Sequence, residues 1–141
     1  MSARSKARKR ALDLLFASEV RDRSAVEALD EELAEARDQS GGRPVADYTS
    51  RLVRGVTEHR VRIDDLLATY SQGWTLDRMP AVDRNVLRLG AFEVLYVDDV
   101  PDAVAVSEAM NLVRELSTDE SPAFVNGVLG HIVRDKATLS A

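Results

Sequence analysis

Arg4, Lys6, Arg8, Lys9 and Arg10 place five cations in the first ten residues with no acid among them. Such side chains bind phosphate, and little else in the 141 residues offers chemistry. His59 and His131 are the only histidines, and neither has a spacing that recruits a second metal ligand on its own helix. The absence of cysteine removes disulfides, thiolate nucleophiles and cysteine-ligated zinc together. There is no HExxH, glycine-rich phosphate loop, G-x-S-x-G or CxxC pattern. Asp64-Asp65 and Asp98-Asp99 are adjacent pairs, whose side chains diverge rather than converge on a bond. These residues argue against an enzyme and call for neither metal nor cofactor.

The cations stand out because the rest of the chain is acidic. The net charge is −5, yet after position 10 there are 14 basic against 24 acidic residues. A basic tip on an acidic body has two readings. One is a frayed, solvated terminus. The other is a nucleic-acid contact whose register is fixed because the acidic body repels phosphates elsewhere. The tip continues as a helix, with Ala7, Ala11, Leu14, Leu15 and Ser18 at helical spacing and Leu12 and Phe16 widening the apolar face. Arg4 and Arg8, four apart, are expected to stack on its outer face, with Lys6, Lys9 and Arg10 fanned around them.

These cations need a scaffold, and the spacing of apolar residues predicts an all-α one of about seven helices. Val82 to Val97 is apolar over most of its circumference, so it reads as a central rod covered by other helices. Its polar residues, Asp83, Arg84, Asn85 and Arg88, cluster at its start, which is expected to emerge at the surface. Gly90 in its middle suggests a close helix crossing. Ser24-x-x-Glu27 opens a second, acidic helix whose exposed side is Glu27, Asp30, Glu31, Glu32 and Glu35. Gln39 to Pro44 reads as a loop, and Val45 begins a third helix. Ile63, Leu66, Leu67 and Tyr70 carry a fourth, as a continuation or after a bend near His59.

Gly73 stops that pattern, and Trp74 to Pro80 reads as the connection between an N-terminal half, 1–73, and a C-terminal half, 74–141. Val104, Val106, Ala109, Met110, Val113 and Leu116 predict the next helix. Ser121-Pro122 caps a last one through Phe124, Val125, Val128, Leu129, Ile132 and Val133. No apolar run approaches the roughly 20 residues of a membrane span, so a soluble, cytoplasmic protein is expected, with no membrane partner. Asn126-Gly127 is a turn dipeptide, but the apolar rhythm runs straight through it and helix wins. Gly127 is then expected to permit a close crossing while Asn126 satisfies a buried backbone group. Phe16, Tyr70, Trp74 and Phe124 are core residues unless they reach the surface near the basic helix, where they become candidates for base stacking.

Several of these stretches together resemble one family. They are Asp83-x-x-x-Leu87-Arg88-x-x-x-Phe92-Glu93-Val94, Val100-Pro101 followed by Ser107-Glu108-Ala109, and Ser121-Pro122-Ala123-Phe124-Val125-Asn126-Gly127-Val128-Leu129, with the basic opening helix from Ala7 to Phe16. The chain resembles the NusB family of transcription antitermination factors over nearly its whole length, most strongly after Val82. The resemblance implies two small helical bundles, the first ending near Gly73. It also implies binding of the boxA element of nascent ribosomal RNA leader transcripts together with ribosomal protein NusE, within an elongation complex that includes other Nus factors. By the same resemblance, Arg4, Lys6, Arg8, Lys9 and Arg10 contact phosphates, and Glu120, Phe124 and Asn126 border the RNA. Phe16 and Tyr70 lie near the same face, and Asp83 lies on or near the surface offered to NusE. Ser107 and Gly130 depart from the family pattern and are given no role. A monomer and a homodimer both remain open, as does a protein-binding helical adaptor that never touches RNA. Fusion to an RNA cytosine methyltransferase is disfavoured, because no residues remain for a cofactor domain and no cysteine for a nucleophile.

Overall fold

The computed structural model of the protein describes residues 2–35 and 42–139. Among them are seven α-helices, one 3-10 turn (Leu76–Arg78) and no strand. Helices α1 (Ala3–Arg21), α2 (Ala25–Glu35) and α3 (Gly42–Glu58) form one compact unit. Helices α4 (Arg60–Tyr70), α5 (Ala81–Tyr96), α6 (Asp102–Leu116) and α7 (Ser121–Leu139) form the other. The division falls between Glu58 and His59, one helix before the boundary expected near Gly73. Helix α4 packs on α5 and α7, so the strongest breaker signal follows it without marking the division.

In the first unit all three helices pack on one another. Ser2 opens α1, its hydroxyl accepting the Ser5 N–H at 3.0 Å. Left-handed Asp22 closes it, with the N–H groups of Asp22 and Arg23 both donating to the Ser18 carbonyl. Ala7 and Ala11 are fully buried and let α3 approach closely enough for the Thr49 hydroxyl to donate to the Ala7 carbonyl, at 3.4 Å. Ser24 caps α2 by accepting the Glu27 N–H at 3.3 Å. Gln39, Ser40 and Gly41 of the expected loop lie outside the described residues, whereas Gly42, Arg43 and Pro44 form the first turn of α3.

In the second unit α5 is the rod, packed by α4, α6 and α7 and buried continuously from Asn85 to Val94. His59 ends the run of α3, and its ring stacks on Tyr96 with centroids 3.9 Å apart. Gly90 is a point of contact: a Cβ there would lie 2.7 Å from Leu129 Cδ1 and 3.6 Å from Ala109 Cβ, so α5 meets α6 and α7 at the glycine. The buried stripe of α6 is Ala105, Ala109, Leu112 and Val113. The expected stripe was off-centre, because Val106 and Met110 instead line an open groove with Val133 and Gly130, and Val104 and Leu116 face solvent.

The polar start of α5 is buried, contrary to the expectation that it emerges. Asp83, Asn85 and Arg88 are at most 4% exposed. Arg88 grips Asp64 of α4 with two parallel bonds, Nε to Oδ1 at 2.9 Å and Nη2 to Oδ2 at 3.1 Å, and its Nη1 donates to Asn85 Oδ1 at 3.2 Å. Asn85 in turn donates to the Ala81 carbonyl at 2.9 Å. Arg84 donates to the carbonyls of Leu76 and Met79, at 2.7 and 3.0 Å, pinning the 3-10 turn. Asp83 accepts from the Ser117 hydroxyl, and Ser121 extends this chain by donating to Ser117 Oγ at 3.1 Å and accepting the Thr118 N–H at 3.2 Å. Ser121 therefore serves the buried network rather than standing as an exposed cap.

Removing Asp64 strands a buried guanidinium, so Asp64→Ala is expected to lower unfolding free energy by about 3 kcal/mol in urea titration, whereas Asp64→Leu with Arg88→Met recovers most of the loss. Gly90→Val is expected to destabilise by about 1–3 kcal/mol through overpacking. Gly127→Ala, with open space around it, is expected to stabilise by about 0.5–1 kcal/mol, read in the same titrations.

Candidate nucleic-acid interface

The five cations of α1 do not form one outward row. Arg8 is 4% exposed, because it lies one turn before Ala11 and Leu12 and two before Leu15, and shares their buried face. Its guanidinium sits 5.7 Å from the centre of the Tyr48 ring, and that of Arg4 lies over the same ring at 4.4 Å. The four-residue spacing thus stacks both arginines on an aromatic face of α3, where cation–π attraction holds them. This corrects the expectation of an outer face for Arg4 and Arg8. Arg10 pairs with Glu32 of α2. Lys6 is exposed, and Arg4 and Lys9 are half-exposed.

The acidic side of α2 is partly neutralised from within its own unit. Besides Glu32, Asp30 pairs with Arg54 and Glu31 with Arg23 at 3.0 Å. The Glu31 carboxylate beside Arg23 raises that guanidinium's pKa further. Phe16, on the same helix as the cations, is 38% exposed rather than a core residue.

In the second unit the candidate residues gather where α4 ends against α7. Tyr70 is half-buried, and its hydroxyl donates to Asp135 Oδ2 at 2.6 Å. That bond to a carboxylate raises the phenol's pKa above its ordinary value. The Tyr70 ring also lies 5.7 Å from His131. Phe124 is half-buried and meets Trp74 in a T-shaped contact, centroids 5.0 Å apart. Glu120 and Asn126 are exposed in and before the first turns of α7.

Asn126 therefore satisfies no buried group, and Gly127 faces open space rather than a crossing helix. Both corrections have the same cause: the buried face of α7 is Ser121, Val125, Val128, Leu129 and Ile132, which leaves 126 and 127 on the far side. None of Phe16, Tyr70, Trp74 and Phe124 is a buried core residue. Trp74, a stacking candidate from the sequence only on condition that it reach the surface, is 38% exposed, although the resemblance gave it no role. Asp83, by contrast, is fully buried against Ser117, so its carboxylate is not on an outer surface.

Comparison with known proteins gives a consistent picture. The sequence model described as the NusB family matches residues 5–134. The chain is 70% identical over 140 residues to the transcription antitermination protein NusB of Nocardioides sp., covering 99% of this chain and all of that one. It is 54% identical over 141 residues to the protein of the same name from Kineococcus radiotolerans, covering both chains completely. Among solved structures, T. maritima NusB superposes with a TM-score of 0.85 at 35% identity, covering 97% of this chain and 94% of that chain. A structure of antitermination factors NusB and NusE in complex with dsRNA superposes with a TM-score of 0.82 at 26% identity, covering 95% of this chain and 98% of that chain.

The arrangement on α1 predicts opposite outcomes for two neighbouring cations. Arg8→Ala is expected to lower stability by about 1–3 kcal/mol through lost packing on Tyr48. Lys6→Ala is expected to stay within about 0.5 kcal/mol of the parent chain in thermal melts.

Proposed function

The chain belongs to the NusB family, and we propose that it is an RNA-binding transcription antitermination factor that engages boxA of nascent ribosomal RNA leader transcripts together with NusE. The family match over residues 5–134, with 70% identity to a transcription antitermination protein NusB, carries this reading. The similar fold found in a complex of NusB, NusE and dsRNA supports RNA and NusE as partners. No helix among the described residues is long and apolar enough to cross a membrane. A cytoplasmic place, within an elongation complex that holds other Nus factors, follows from action on nascent transcripts.

In this reading α1 touches phosphates chiefly through Lys6, Lys9 and Arg4, and Arg10 joins by exchanging Glu32 for a phosphate. Arg8 supports the helix from beneath. Phe16 in the first unit, and Tyr70, Glu120, Phe124 and Asn126 in the second, border the RNA. So few cations on an acidic chain neutralise only a few phosphates, so NusE supplies the missing positive charge. A contact with NusE near the start of α5 involves residues around Asp83, with Asp83 itself setting the Ser117 joint.

The second reading, a helical adaptor without direct RNA contact, is favoured by the inward commitment of Arg8 and the pairing of Arg10. One titration separates the two. Labelled boxA RNA is titrated with the chain, with NusE and with their mixture across a range of salt. The mixture is expected to bind more tightly than either protein, and Lys6→Ala with Lys9→Ala is expected to flatten the log–log salt dependence by roughly one unit per lost phosphate contact. Unchanged affinity and slope in that double variant would favour the adaptor.

A further inference from the structure

At the end of α4, Tyr70 and Trp74 meet α7 at two points, Tyr70 beside His131 and Trp74 beside Phe124. Phe124 and His131 are seven residues apart, about 10 Å along the helix. Gly127 lies between them on the same side of α7, three residues from one and four from the other. It is exposed, and a Cβ added there would meet no atom within 4 Å. Two aromatic pairs thus flank a stretch of bare helix backbone, and no contact among the described residues requires the glycine.

The Trp74 side of this gap is held in place. Gly73, at φ +81°, supplies the turn after α4. The Trp74 N–H donates to the Ser71 carbonyl at 3.1 Å, and the Ser71 hydroxyl donates to the Trp74 carbonyl at 3.0 Å. Its ring is fixed against Phe124 with 68° between the planes, yet the residue remains 38% exposed. A large aromatic with its backbone tied and one edge packed, but left more than a third in solvent, has less orientation to lose on stacking than a free side chain.

Resting on the RNA-binding reading above, we propose that Trp74 is a base-stacking residue: an unpaired RNA base lies against it over Gly127, with Phe124 at its edge. Every base has a face to stack, so the contact is tolerant of sequence. The missing side chain at Gly127 lets the base and its sugar approach the helix closely. The amide hydrogens of the first turn of α7 are not needed for this contact.

Trp74 is the sole tryptophan of the chain, so its emission reports on this position. Single-stranded boxA RNA is titrated into the full chain mixed with NusE. The Trp74 signal is taken as the difference from the same mixture carrying Trp74→Phe, while filter binding reads affinity independently. The expected result is a change in Trp74 emission that saturates with binding. Trp74→Ala is expected to weaken binding by roughly five- to a hundredfold at an unchanged melting temperature, with Trp74→Phe largely retaining it. Gly127→Leu is expected to weaken binding without destabilising the chain. Unchanged emission at saturating RNA, or parental affinity in a folded Trp74→Ala variant, overturns the proposal. So does a loss of NusE binding by Trp74→Ala in the absence of RNA, which would make the surface a protein contact. If Trp74→Ala does not fold, the emission of the parent chain decides. A parent mixture that binds no RNA by filter assay refutes the broader RNA-binding reading instead.

Discussion

The second unit depends on a buried guanidinium. Arg88 sits on the central helix with its side chain 5% exposed, and burial of an unpaired charge there would outweigh any gain from packing. Asp64 and Asn85 answer three of its donors, which couples the rotation of α5 to the position of α4. The same end of α5 reaches the connection through Arg84 and the joint between α6 and α7 through Asp83 and Ser117. Four polar positions within the first two turns, Asp83, Arg84, Asn85 and Arg88, therefore fix three separate pieces of chain. Trp74 lies on one of those pieces and Phe124 begins just beyond another, so the candidate surface inherits its geometry from this network.

Electrostatics in the first unit follow a different logic. The sequence concentrates cations at one end, but the fold spreads their roles over a helix with an inside and an outside. Arg8 becomes structural through Tyr48, and Arg10 answers an acid of α2. Ion pairs at this degree of exposure contribute about 0–1 kcal/mol, so the pairing of Arg10 with Glu32 holds it only weakly. The acidic face of α2 is thereby partly neutralised by arginines of its own unit. Arg8 is not so loosely held, since moving it would open the packing beneath the helix.

How far the sequence was legible depends on the kind of signal. Helical spacing located all seven helices, and Gly90 was read rightly as a crossing because its apolar neighbours on every side leave no other use for a bare backbone. The start of α5 is ambiguous in sequence because a polar cluster on an apolar rod has two homes, water or a complementary set of polar groups, and Asp64 and Ser117 are invisible as partners until the helices pack. Arg8 lies on the Ala11, Leu12 and Leu15 face, a position that spacing alone gives and that the surrounding run of cations obscures. For α6, apolar residues surround the helix closely enough that a one-residue shift of the buried stripe leaves the pattern intact. The division of the chain was hidden for another reason: Gly73 and Pro80 break the backbone, but α4 had already joined the packing of α5 and α7.

Gly90 and Gly127 carry the same residue with opposite reasons, and the contrast bears on how the surface should be understood. Each forfeits roughly 1 kcal/mol of helix propensity relative to alanine. At Gly90 the loss is offset inside the molecule, because a side chain would collide with Leu129 where three helices meet. At Gly127 no contact among the described residues offsets it, since the position faces solvent and the neighbouring contacts, Trp74 on Phe124 and Tyr70 by His131, form to either side without using it. A local rule broken without internal compensation is the pattern expected where stability yields to a contact outside the fold. The bare backbone and the exposed indole packed edge-on against Phe124 are therefore parts of one surface, shaped by a partner rather than by the packing of the helices beneath.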